Sequence, residues 1–461
     1  MSDTGIEPAY DDDEDEPPLC AELRLVFVAP SSIVTIPAFP MAHKKLMTIG
    51  RRTSCDIHID SGGVSEDHAT VYSLEKEDSW EVVLTDCGST NGTTVNGRRI
   101  KSQQLNDGDI VGIGSSFLVF REHQTAIADC KIPGIVGCSP EIREVRRQVE
   151  THARKESTVL LQGESGVGKE VVAVALHSMS GRTGPYVPYN CASLGESLAH
   201  SILFGHKKGS FTGALTDKDG LFAQASAGGG GTLFLDEIAD LKTDAQSLLL
   251  RVLDSPTYRP YGSSVDEKSK ARVVTGTKTV VRSATEQGRF RDDLFQRIKS
   301  PTIRIPPLRT RREDILLLAK HFLQKSKRPL SSGLARELLL HPWPGNVREL
   351  KKTLEIADAI AELSGKSELR ASHCRKEMEE SAYAWQKQLG TGGTSQMPAG
   401  TENSPAIIKK KKGRPAKENL VEVMEECDWK IRRAAQKLGV DRKTIRRWIE
   451  YYELTQKTSE E

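Results

Sequence analysis

The stretch Gly163-Glu164-Ser165-Gly166-Val167-Gly168-Lys169-Glu170 decides the fold of the middle of this chain. An apolar run at 159–161 precedes it, and helix-forming residues follow at 171–176. In a strand, loop and helix of this composition, glycines let successive backbone N–H groups converge on phosphate oxygens, and the lysine adds positive charge. The sequence therefore predicts an α/β domain that binds a nucleotide through residues 163–170. A chance glycine-rich turn is the alternative, and the flanking strand and helix argue against it.

A second apolar run, 231–235, ends in the acidic pair Asp236 and Glu237. Continuous apolar runs are typical of strands buried in parallel sheets, whose carboxyl ends carry the binding sites. We expect ATP as the nucleotide, with Asp236 holding Mg²⁺ and Glu237 orienting and deprotonating the attacking water. Glu170 stands where many phosphate loops place a Ser or Thr ligand, so the metal contact falls to Asp236 and water. An acidic pair that is merely solvated is the alternative.

Between these two motifs lies the loop Gly209-Ser210-Phe211-Thr212-Gly213-Ala214. So small and glycine-rich a loop cannot bury Phe211 by itself. Two interpretations follow: the loop presents its aromatic ring to another protein, or it is a glycine turn with a buried Phe.

Together these stretches resemble the AAA+ ATPase domain of bacterial enhancer-binding activators that act on the sigma-54 form of RNA polymerase. The resemblance covers residues 134–370 and also rests on 134–137, 190–192, 203–206, 290–294, 306–309 and 344–350. In that family the loop corresponding to 209–214 touches the sigma factor. The resemblance therefore implies contacts by Phe211 and Thr212, sigma-54 RNA polymerase as a partner, and a homo-oligomeric ring, a hexamer, as the assembly.

The same resemblance assigns further residues around the nucleotide. Arg291 and Arg297 match arginine fingers that reach the γ-phosphate of the neighbouring subunit, where a guanidinium fork suits a spread phosphate charge. Arg348 matches the sensor of the helical subdomain, and Asn190 matches the residue that restrains the catalytic Glu. Ordinary surface arginines are the alternative for the first pair.

Among the positions that depart from the family pattern, three are considered to affect the motor: Lys278, His200 and Ile202. Lys278 stands where the family usually has Asn, and a lysine can only donate hydrogen bonds and brings a charge. His200 and Ile202 replace acidic residues ahead of 203–205. We expect a working but atypical motor, with hydrolysis slowed or differently timed.

Residues 23–122 predict an all-β sandwich. Apolar alternation is plain at 57–59 and 80–84, and Asn91-Gly92 and Asn96-Gly97 are signals of type I′ hairpin turns. The segment resembles a forkhead-associated (FHA) domain through the stretches and residues 50–51, Ser65, His68, 89–92 and 95–97.

FHA domains bind phosphothreonine peptides. The resemblance implies that Arg51 pairs with the phosphate, that Ser65 and Thr90 donate hydroxyls to it, and that Asn91 holds the peptide backbone. Glu66 stands where the family commonly has Arg and puts negative charge near the phosphate. A purely structural role for the two Asn-Gly pairs is the alternative.

The C-terminal part is basic. From Lys409 to Glu450, 14 Lys or Arg stand against 7 Asp or Glu, a local charge of +7 in a chain whose net charge is +2. A short helix at 431–438, a Gly-Val turn and a second helix capped by Asp441 have the spacing of a helix-turn-helix. The segment resembles a Fis-like DNA-binding domain. Its expected phosphate and base contacts are Arg442, Lys443, Thr444, Arg446 and Arg447.

Two alternatives concern this basic region. Residues 411–415 resemble an AT-hook, in which Arg414 enters a narrow minor groove, and a plain basic linker is the other interpretation. For the second helix, the alternative to DNA binding is a solvated cationic surface.

The whole chain of 461 residues is then expected to contain several units. They are an acidic disordered tail (1–22), the FHA-like domain (23–122), a linker (123–132), the AAA+ domain with its helical subdomain (133–374), a linker with the AT-hook candidate (375–415) and the all-α helix-turn-helix domain (416–455). Eight cysteines without metal-binding spacing indicate reduced thiols. No apolar run is long enough to span a bilayer, so we expect a cytoplasmic bacterial protein with no membrane partner.

These expectations combine into one function. The protein binds enhancer-like DNA, hydrolyses ATP to remodel sigma-54 RNA polymerase for promoter opening, and is gated by an FHA domain that recognises a phosphothreonine protein of a Ser/Thr kinase pathway. The rival hypothesis is a phosphopeptide-binding, DNA-binding repressor whose ATPase domain is weak or inactive, and Lys278 is its main support.

Overall fold

The computed structural model describes residues 19–28, 32–33, 38–41, 46–75, 80–124, 130–195, 198–278, 281–326 and 328–391. The expected acidic disordered tail, 1–22, lies outside this part of the chain as far as residue 18. Its last part, 19–22, was wrongly predicted: these residues form a strand, because they pair with residues 121–124 and Ala21 is buried. The expected DNA-contact residues also lie outside the described part; they are Arg414, Arg442, Lys443, Thr444, Arg446 and Arg447. Within it, strands up to residue 124 are followed by alternating strands and helices up to 304 and then by helices. The all-β and α/β fold classes predicted for these two parts are confirmed.

The first part is a sandwich of two sheets. Its strands are β1 (Leu19–Val28), β2 (Ser32–Ile33), β3 (Ala38–Pro40), β4 (Leu46–Gly50), β5 (Ile57–His58), β6 (Ala69–Glu75), β7 (Trp80–Asp86), β8 (Thr93–Val95), β9 (Arg98–Ile100), β10 (Ser102–Gln104), β11 (Ile110–Ile113) and β12 (Ser116–Gln124). One sheet has the order β2-β1-β12-β11-β8-β9, with β3 also paired to β1, and the other has the order β10-β7-β6-β4-β5. In β7 buried and half-buried residues alternate, which is the pattern of a strand with one face in the core.

The short strand β8 joins two turns of different geometry. Asn96 and Gly97, after the strand, have φ angles of +49° and +78°, the left-handed values that a type I′ turn requires at both central positions. Before the strand, Gly92 has φ +81° while Asn91 is outside the left-handed region. The type I′ turn predicted at 91–92 is therefore wrong, because β7 and β8, the strands on either side, belong to different sheets and form no hairpin. The Asn91 amide instead donates to the Gly63 carbonyl at 2.8 Å and joins two loops.

The second part is built on a parallel sheet. Its strands are β13 (Val159–Gln162), β14 (Tyr186–Asn190), β17 (Thr232–Asp236), β20 (Arg272–Thr277) and β21 (Thr302–Arg304), in the order β14-β17-β20-β13-β21. Two small hairpins accompany it, β15 (Gly205–His206) with β16 (Lys218–Asp219), and β18 (Thr257–Tyr258) with β19 (Glu267–Lys268). The first four residues of β17 are buried, as its apolar run predicts. Because the strands are parallel, residues 163, 237 and 278 follow strands that end at the same edge.

Helices surround this sheet and then form a separate layer. Those of the α/β part are α1 (Pro140–Ala153), α2 (Lys169–Met179), α3 (Ala199–Phe204), α4 (Leu221–Ser226), α5 (Thr243–Asp254), α6 (Val281–Glu286) and α7 (Asp292–Ile298). The helical subdomain consists of α8 (Glu313–Phe322), α9 (Ser332–Leu340), α10 (Asn346–Leu363) and α11 (Arg375–Thr391).

Helix α11 occupies residues that the sequence analysis places in a linker. Cys374 and Met378, one turn apart, are buried in the core of the helical subdomain. Burial of these two apolar side chains anchors the start of the helix, so the chain stays ordered through 391 instead of leaving the domain at 375.

The sandwich packs directly on the helical subdomain. Val26, Phe27, Ile110, Phe117 and Val119 belong to the same buried cluster as the residues of α8 to α10. They lie on β1, β11 and β12, whose neighbouring residues Leu25, Val111 and Leu118 point into the core of the sandwich. This sheet is therefore buried on both faces, and the two domains share a continuous apolar core.

Candidate functional site

The phosphate loop runs from the end of β13 to the start of α2. Gly166 and Gly168 have φ angles of +79° and +109°, which side chains other than glycine rarely adopt. The Lys169 side chain is buried, and its ammonium donates to the Gly163 carbonyl at 3.2 Å. Glu170 is exposed in the first turn of α2. The loop thus has the geometry to surround phosphate oxygens, with one buried cation at its base.

The acidic end of β17 lies beside this lysine. Lys169 Nζ is 4.0 Å from Asp236 Oδ1 and 3.6 Å from Glu237 Oε1. Glu237 has φ +53°, so the chain turns sharply where the strand ends. The structure therefore brings together the three charged side chains that the sequence analysis selected for phosphate, metal and water.

Lys278 joins the same cluster from the end of β20. Its ammonium is 3.1 Å from Asp240 Oδ2 and 3.9 Å from Glu237 Oε2, and its backbone N–H donates to Glu237 Oε2 at 3.3 Å. The hydrogen bond to Asp240 and the nearby Glu237 carboxylate raise the pKa of Lys278. The lysine is thus a firmly charged neighbour of Glu237. Asp240, which holds it there, was not singled out by the sequence analysis.

Asn190 pairs in register with Asp236, because β14 and β17 are adjacent parallel strands. Its side-chain oxygen accepts from the backbone N–H of Ala192 at 2.9 Å and caps the short turn 191–193. The structure therefore places Asn190 next to the acidic pair but gives its oxygen a capping partner.

The helical subdomain closes over the other side of the phosphate loop. Arg348 donates from its guanidinium to Ser165 Oγ at 3.1 Å and from its backbone to the Gly166 carbonyl at 3.2 Å. Arg309 forms two hydrogen bonds to Glu164, at 2.7 and 2.5 Å, which lower the pKa of that carboxyl.

Asn346, at the start of α10, donates to both Glu164 Oε2 and the Ser165 carbonyl at 3.1 Å. It is fully buried and has φ +54°. Arg309 and Asn346 were recognised in the sequence only as parts of family motifs. Their structural role, holding the phosphate loop from the lid side, needs the three-dimensional arrangement.

The two predicted arginine fingers lie at or in α7, on the surface. Arg291 forms a two-point ion pair with Asp293 at 3.0 and 2.7 Å and donates to Ser247 Oγ at 3.0 Å. Arg297 donates to the Leu253 carbonyl at 2.8 Å and lies 3.4 Å from Asp254. Both side chains are about half exposed and pair with surface groups of their own subunit, at 43% and 52% exposure.

The Gly209–Ala214 loop is closed by its own backbone. Gly209 N–H donates to the Ala214 carbonyl at 2.8 Å, and Ala214 N–H donates to the Phe211 carbonyl at 3.0 Å. The Phe211 ring is half-buried against His206 and Tyr261, with centroids 5.0 and 6.1 Å away, whereas Thr212 is exposed. His206 and Tyr261, from two neighbouring segments, thus bury one part of the Phe211 ring and leave the other part exposed.

His200, one of the departures from the family pattern, belongs to the same aromatic group. Its ring lies 5.5 Å from that of Tyr261 and 5.2 Å from that of Phe204, both edge-on. Burial lowers the pKa of His200, which favours the neutral ring. The histidine therefore extends the packing beneath the loop.

The predicted phosphopeptide residues meet at one end of the sandwich. Arg51 N–H donates to the Ser65 carbonyl at 2.9 Å, and Ser65 Oγ accepts from the Thr90 N–H at 3.1 Å. The side chains of Arg51, Thr90 and Asn91 are exposed. Buried His68 fixes the Ser65 loop by accepting from the Ser65 N–H at 3.0 Å.

Glu66 is not left as an isolated negative charge beside this face. Arg52 Nη2 lies 3.2 Å from Glu66 Oε2 and 3.0 Å from Asp67 Oδ2. Arg52 was not selected from the sequence, although it directly follows Arg51.

The described residues contain no group of three or more His, Cys, Asp or Glu arranged to hold a metal by themselves. Magnesium in nucleotide sites is commonly bound by one or two carboxylates, waters and the phosphates, and Asp236 beside the phosphate loop fits that set. Among the described helices, none has the length and apolarity to cross a membrane.

Four known families match parts of the chain. They are the Sigma-54 interaction domain at 135–304, the FHA domain at 47–114, the AAA+ ATPase lid domain at 309–390 and the Fis family of bacterial regulatory proteins at 417–452. The transcriptional regulatory protein ZraR of Klebsiella oxytoca is 37% identical over 324 residues, which cover 68% of this chain and 67% of that protein. The chain belongs to the family of sigma-54-interacting transcriptional regulators.

Other members of this sigma-54 regulator family are longer than the region they share with the chain. The Nif-specific regulatory protein of Azospirillum brasilense is 40% identical over 294 residues, 60% of this chain and 46% of that protein. The chain thus spans less than half the length of this relative. The structure of NtrX from Brucella abortus in complex with ATP is 26% identical, covers 69% of each chain and superposes with a TM-score of 0.48. The family matches and the similarity to ZraR confirm the predicted family, the FHA domain and the Fis-type region.

Proposed function

We propose that this chain is an ATP-driven transcription activator that remodels sigma-54 RNA polymerase for promoter opening. The observation that carries the proposal is the cluster of Lys169, Asp236 and Glu237 within 4.0 Å at the base of the phosphate loop. A buried cation, a metal-binding carboxylate and a second carboxylate for the water are the groups that phosphoryl transfer requires. The loop Gly209–Ala214, on the same α/β domain, would transmit the effect of hydrolysis to sigma-54.

In this mechanism the backbone N–H groups of Gly163, Glu164, Ser165, Gly166, Val167, Gly168, Lys169 and Glu170 surround the β- and γ-phosphates of ATP. Lys169 supplies positive charge, and Asp236 would hold Mg²⁺, which would neutralise the developing charge on the phosphates. Glu237 accepts a proton from the attacking water. Lys278 and Asn190 adjust the charge and position of Glu237, and Arg348 brings the lid to the phosphates.

Assembly completes the site. We infer a ring, with hexamer as the expected size, in which Arg291 and Arg297 reach the γ-phosphate of the adjoining subunit. Their half-exposed positions support a role outside their own subunit. Arg291 would exchange Asp293 for the phosphate, so hydrolysis would depend on oligomerisation.

The proposed sigma-54 contact and the proposed phosphothreonine site lie on different domains. Phe211 and Thr212 would contact sigma-54, since the ring of Phe211 is only partly covered and Thr212 is exposed. On the FHA domain, Arg51, Ser65, Thr90 and Asn91 would bind a phosphothreonine segment of a protein in a Ser/Thr kinase pathway.

The address is DNA. The Fis-family match at 417–452 supports DNA binding by Arg442, Lys443, Thr444, Arg446 and Arg447, with Arg414 as the minor-groove candidate ahead of them. We propose the domain scheme given above for the whole chain, with the helical subdomain extended through α11, and a bacterial cytoplasmic location beside the polymerase.

The decisive experiment measures ATP turnover by the purified chain over a range of protein concentrations, together with open-complex formation by sigma-54 polymerase. Turnover that rises steeply with concentration, is lost in Glu237→Ala and is kept in the exposed control Glu355→Ala would support the proposal. Absence of turnover at every concentration would favour the repressor hypothesis, in which Lys278 neutralises Glu237.

A further inference from the structure

The segment Arg309–Asp314, which leads into α8, contacts the phosphate loop and the FHA domain at the same time. Toward the phosphate loop, Arg309 forms its two hydrogen bonds to Glu164, and Arg311 donates to the Val167 carbonyl at 3.1 Å. Asp314 accepts from the backbone N–H groups of Cys138 and Ser139 at 2.5 and 2.9 Å, at the start of the ATPase domain. The segment therefore supports the nucleotide site from the outside.

The remaining residues of the segment face the sandwich. The Thr310 carbonyl accepts from Arg121 Nη1 at 2.8 Å, and Arg312 donates to the Gly108 carbonyl at 3.3 Å. Glu313 Oε1 lies 3.3 Å from Arg121 Nε. One short stretch thus alternates between partners in the nucleotide site and partners in the FHA domain.

Arg121, on β12, is the centre of the FHA side of this junction. Its side chain is only 3% exposed, and it pairs with Glu141 of α1 as well as with Glu313. The Glu313 side chain has no exposed surface and neither of its oxygens has a hydrogen-bond donor. Arg121 therefore connects three groups of the junction, the Thr310 carbonyl, Glu141 and the buried Glu313, and its removal leaves buried polar atoms without their partner.

Apolar packing keeps this junction rigid. The rings of Phe27 and Phe117 lie 6.0 Å apart between centroids and are tilted by 36°, and both belong to the same buried cluster as Ile315 and Ala319 of α8. A close-packed interface of this kind transmits a displacement instead of absorbing it. Any shift of β12 would move the first turn of α8 and, with it, the groups that hold Glu164 and Val167.

We propose that Arg121, a residue of the FHA domain, is a positioning residue for nucleotide binding and acts on the phosphate loop through the segment Arg309–Asp314. This inference rests on the proposed binding of ATP by the phosphate loop. It deepens that proposal by naming the path through which the FHA domain regulates the nucleotide site. The FHA domain is then a structural part of the ATP site, and its ligand acts on nucleotide affinity.

The test measures the Kd of fluorescent mant-ATP with Mg²⁺, and the KM and kcat for ATP, on the full chain. Arg121→Met should raise the Kd and KM roughly fivefold, a typical size for coupling between sites, and change kcat by less than twofold. Arg121→Lys should rescue part of the loss, because a lysine keeps a cation beside Glu141 but lacks the fork that also reaches Thr310 and Glu313. Lys101→Met, an exposed cation of the same domain, is the matched control and should keep the wild-type Kd.

A double variant shows whether Arg121 acts through the segment. If it does, Arg121→Met should add less than twofold to the Kd of Arg309→Met, because both changes release the same support. Effects that multiply, or an unchanged Kd in Arg121→Met, would overturn the inference. Should Arg121→Met not fold, as judged by circular dichroism, Arg312→Met takes its place with the same two outcomes. A wild-type chain that does not bind mant-ATP would overturn the proposed function itself, and the inference with it.

Discussion

Lys278 Nζ lies 3.9 Å from Glu237 Oε2, so a cation stands beside the carboxylate that we assign to water activation. The same ammonium is held by Asp240 at 3.1 Å. The Lys278 backbone N–H donates to the same Oε2 at 3.3 Å, so Lys278 occupies the carboxylate oxygen that the attacking water would otherwise reach. The arrangement therefore restricts the access of the attacking water to Glu237.

Replacing this lysine should therefore speed hydrolysis. We expect Lys278→Asn to raise kcat for ATP by roughly threefold to tenfold, because removal of the ammonium gives the attacking water better access to Glu237. Steady-state turnover of the assembled protein is the measurement, with Lys352→Asn on the exposed face of α10 as control. A kcat equal to or below that of the wild type would show that Lys278 supports the reaction.

The buried Glu313 should give the folded chain a distinctive pH dependence. Burial raises its pKa to about 8 from the ordinary 4.5, against the opposing effect of Arg121, while Asp314 and Glu141 also favour the protonated form. Between those pKa values the folded state binds more protons than the unfolded chain. Its stability therefore falls as pH rises through this window, by at most about 1.4 kcal/mol per pH unit.

Glu313→Gln removes the titrating carboxyl group and should flatten the dependence of stability on pH. As the pH rises from 6 to 8, the thermal midpoint of the variant, measured by differential scanning calorimetry, should increase relative to that of the wild type. The exposed Glu355→Gln serves as the control. Parallel midpoints for the wild type and Glu313→Gln across this range would mean that Glu313 does not titrate there.

The loop at 209–214 should separate output from hydrolysis. Phe211→Ala should lower open-complex formation with sigma-54 polymerase by at least tenfold and leave ATP turnover within twofold, since Phe211 lies apart from the phosphate cluster. Leu215→Ala, beside the loop and 79% exposed, controls for general surface change. Equal loss of both activities in Phe211→Ala would instead assign the ring a role in domain stability.

The phosphopeptide face should distinguish two adjacent arginines. Arg51→Ala should abolish binding of phosphothreonine peptides, because it removes the group expected to pair with the phosphate. Arg52→Ala should weaken binding only about twofold to fivefold, since it exposes the charge of Glu66 without removing a phosphate ligand. Isothermal titration calorimetry gives both values. The double variant Arg52→Ala/Glu66→Gln should recover most of the wild-type affinity, and failure to do so would indicate direct contact by Arg52.

Much of the nucleotide site follows from the sequence because its parts are local motifs at the ends of parallel strands. Gly163–Lys169, Asp236 and Glu237 each follow a buried strand, and parallel pairing is sufficient to bring them to one edge. Arg309 and Asn346 could be noted as motif residues but not placed. Their contacts depend on how the lid closes, which no local pattern specifies.

The contact between the two domains was missed for a different reason. The run Phe117-Leu118-Val119-Phe120 breaks the alternation of a one-sided strand, and all four residues are buried. A continuous apolar run in a sandwich strand indicates that both faces are covered, so this signal was present. It could show that something packs there, but not that the partner is α8.

The strand β8 has a mechanical consequence. Asn91, at the phosphopeptide face, precedes its three residues, and Gly97, whose carbonyl accepts from Arg336 of the helical subdomain at 3.0 Å, lies just beyond them. Three residues of strand span roughly 10 Å. So short a strand, hydrogen-bonded to β9 on one side and to β11 on the other, cannot unfold at one end and remain folded at the other. A ligand that tilts the turn at Asn91 must also tilt the turn at Gly97. Ligand binding to the FHA domain can thus reach the helical subdomain as a rigid rotation, without unfolding any part of that subdomain.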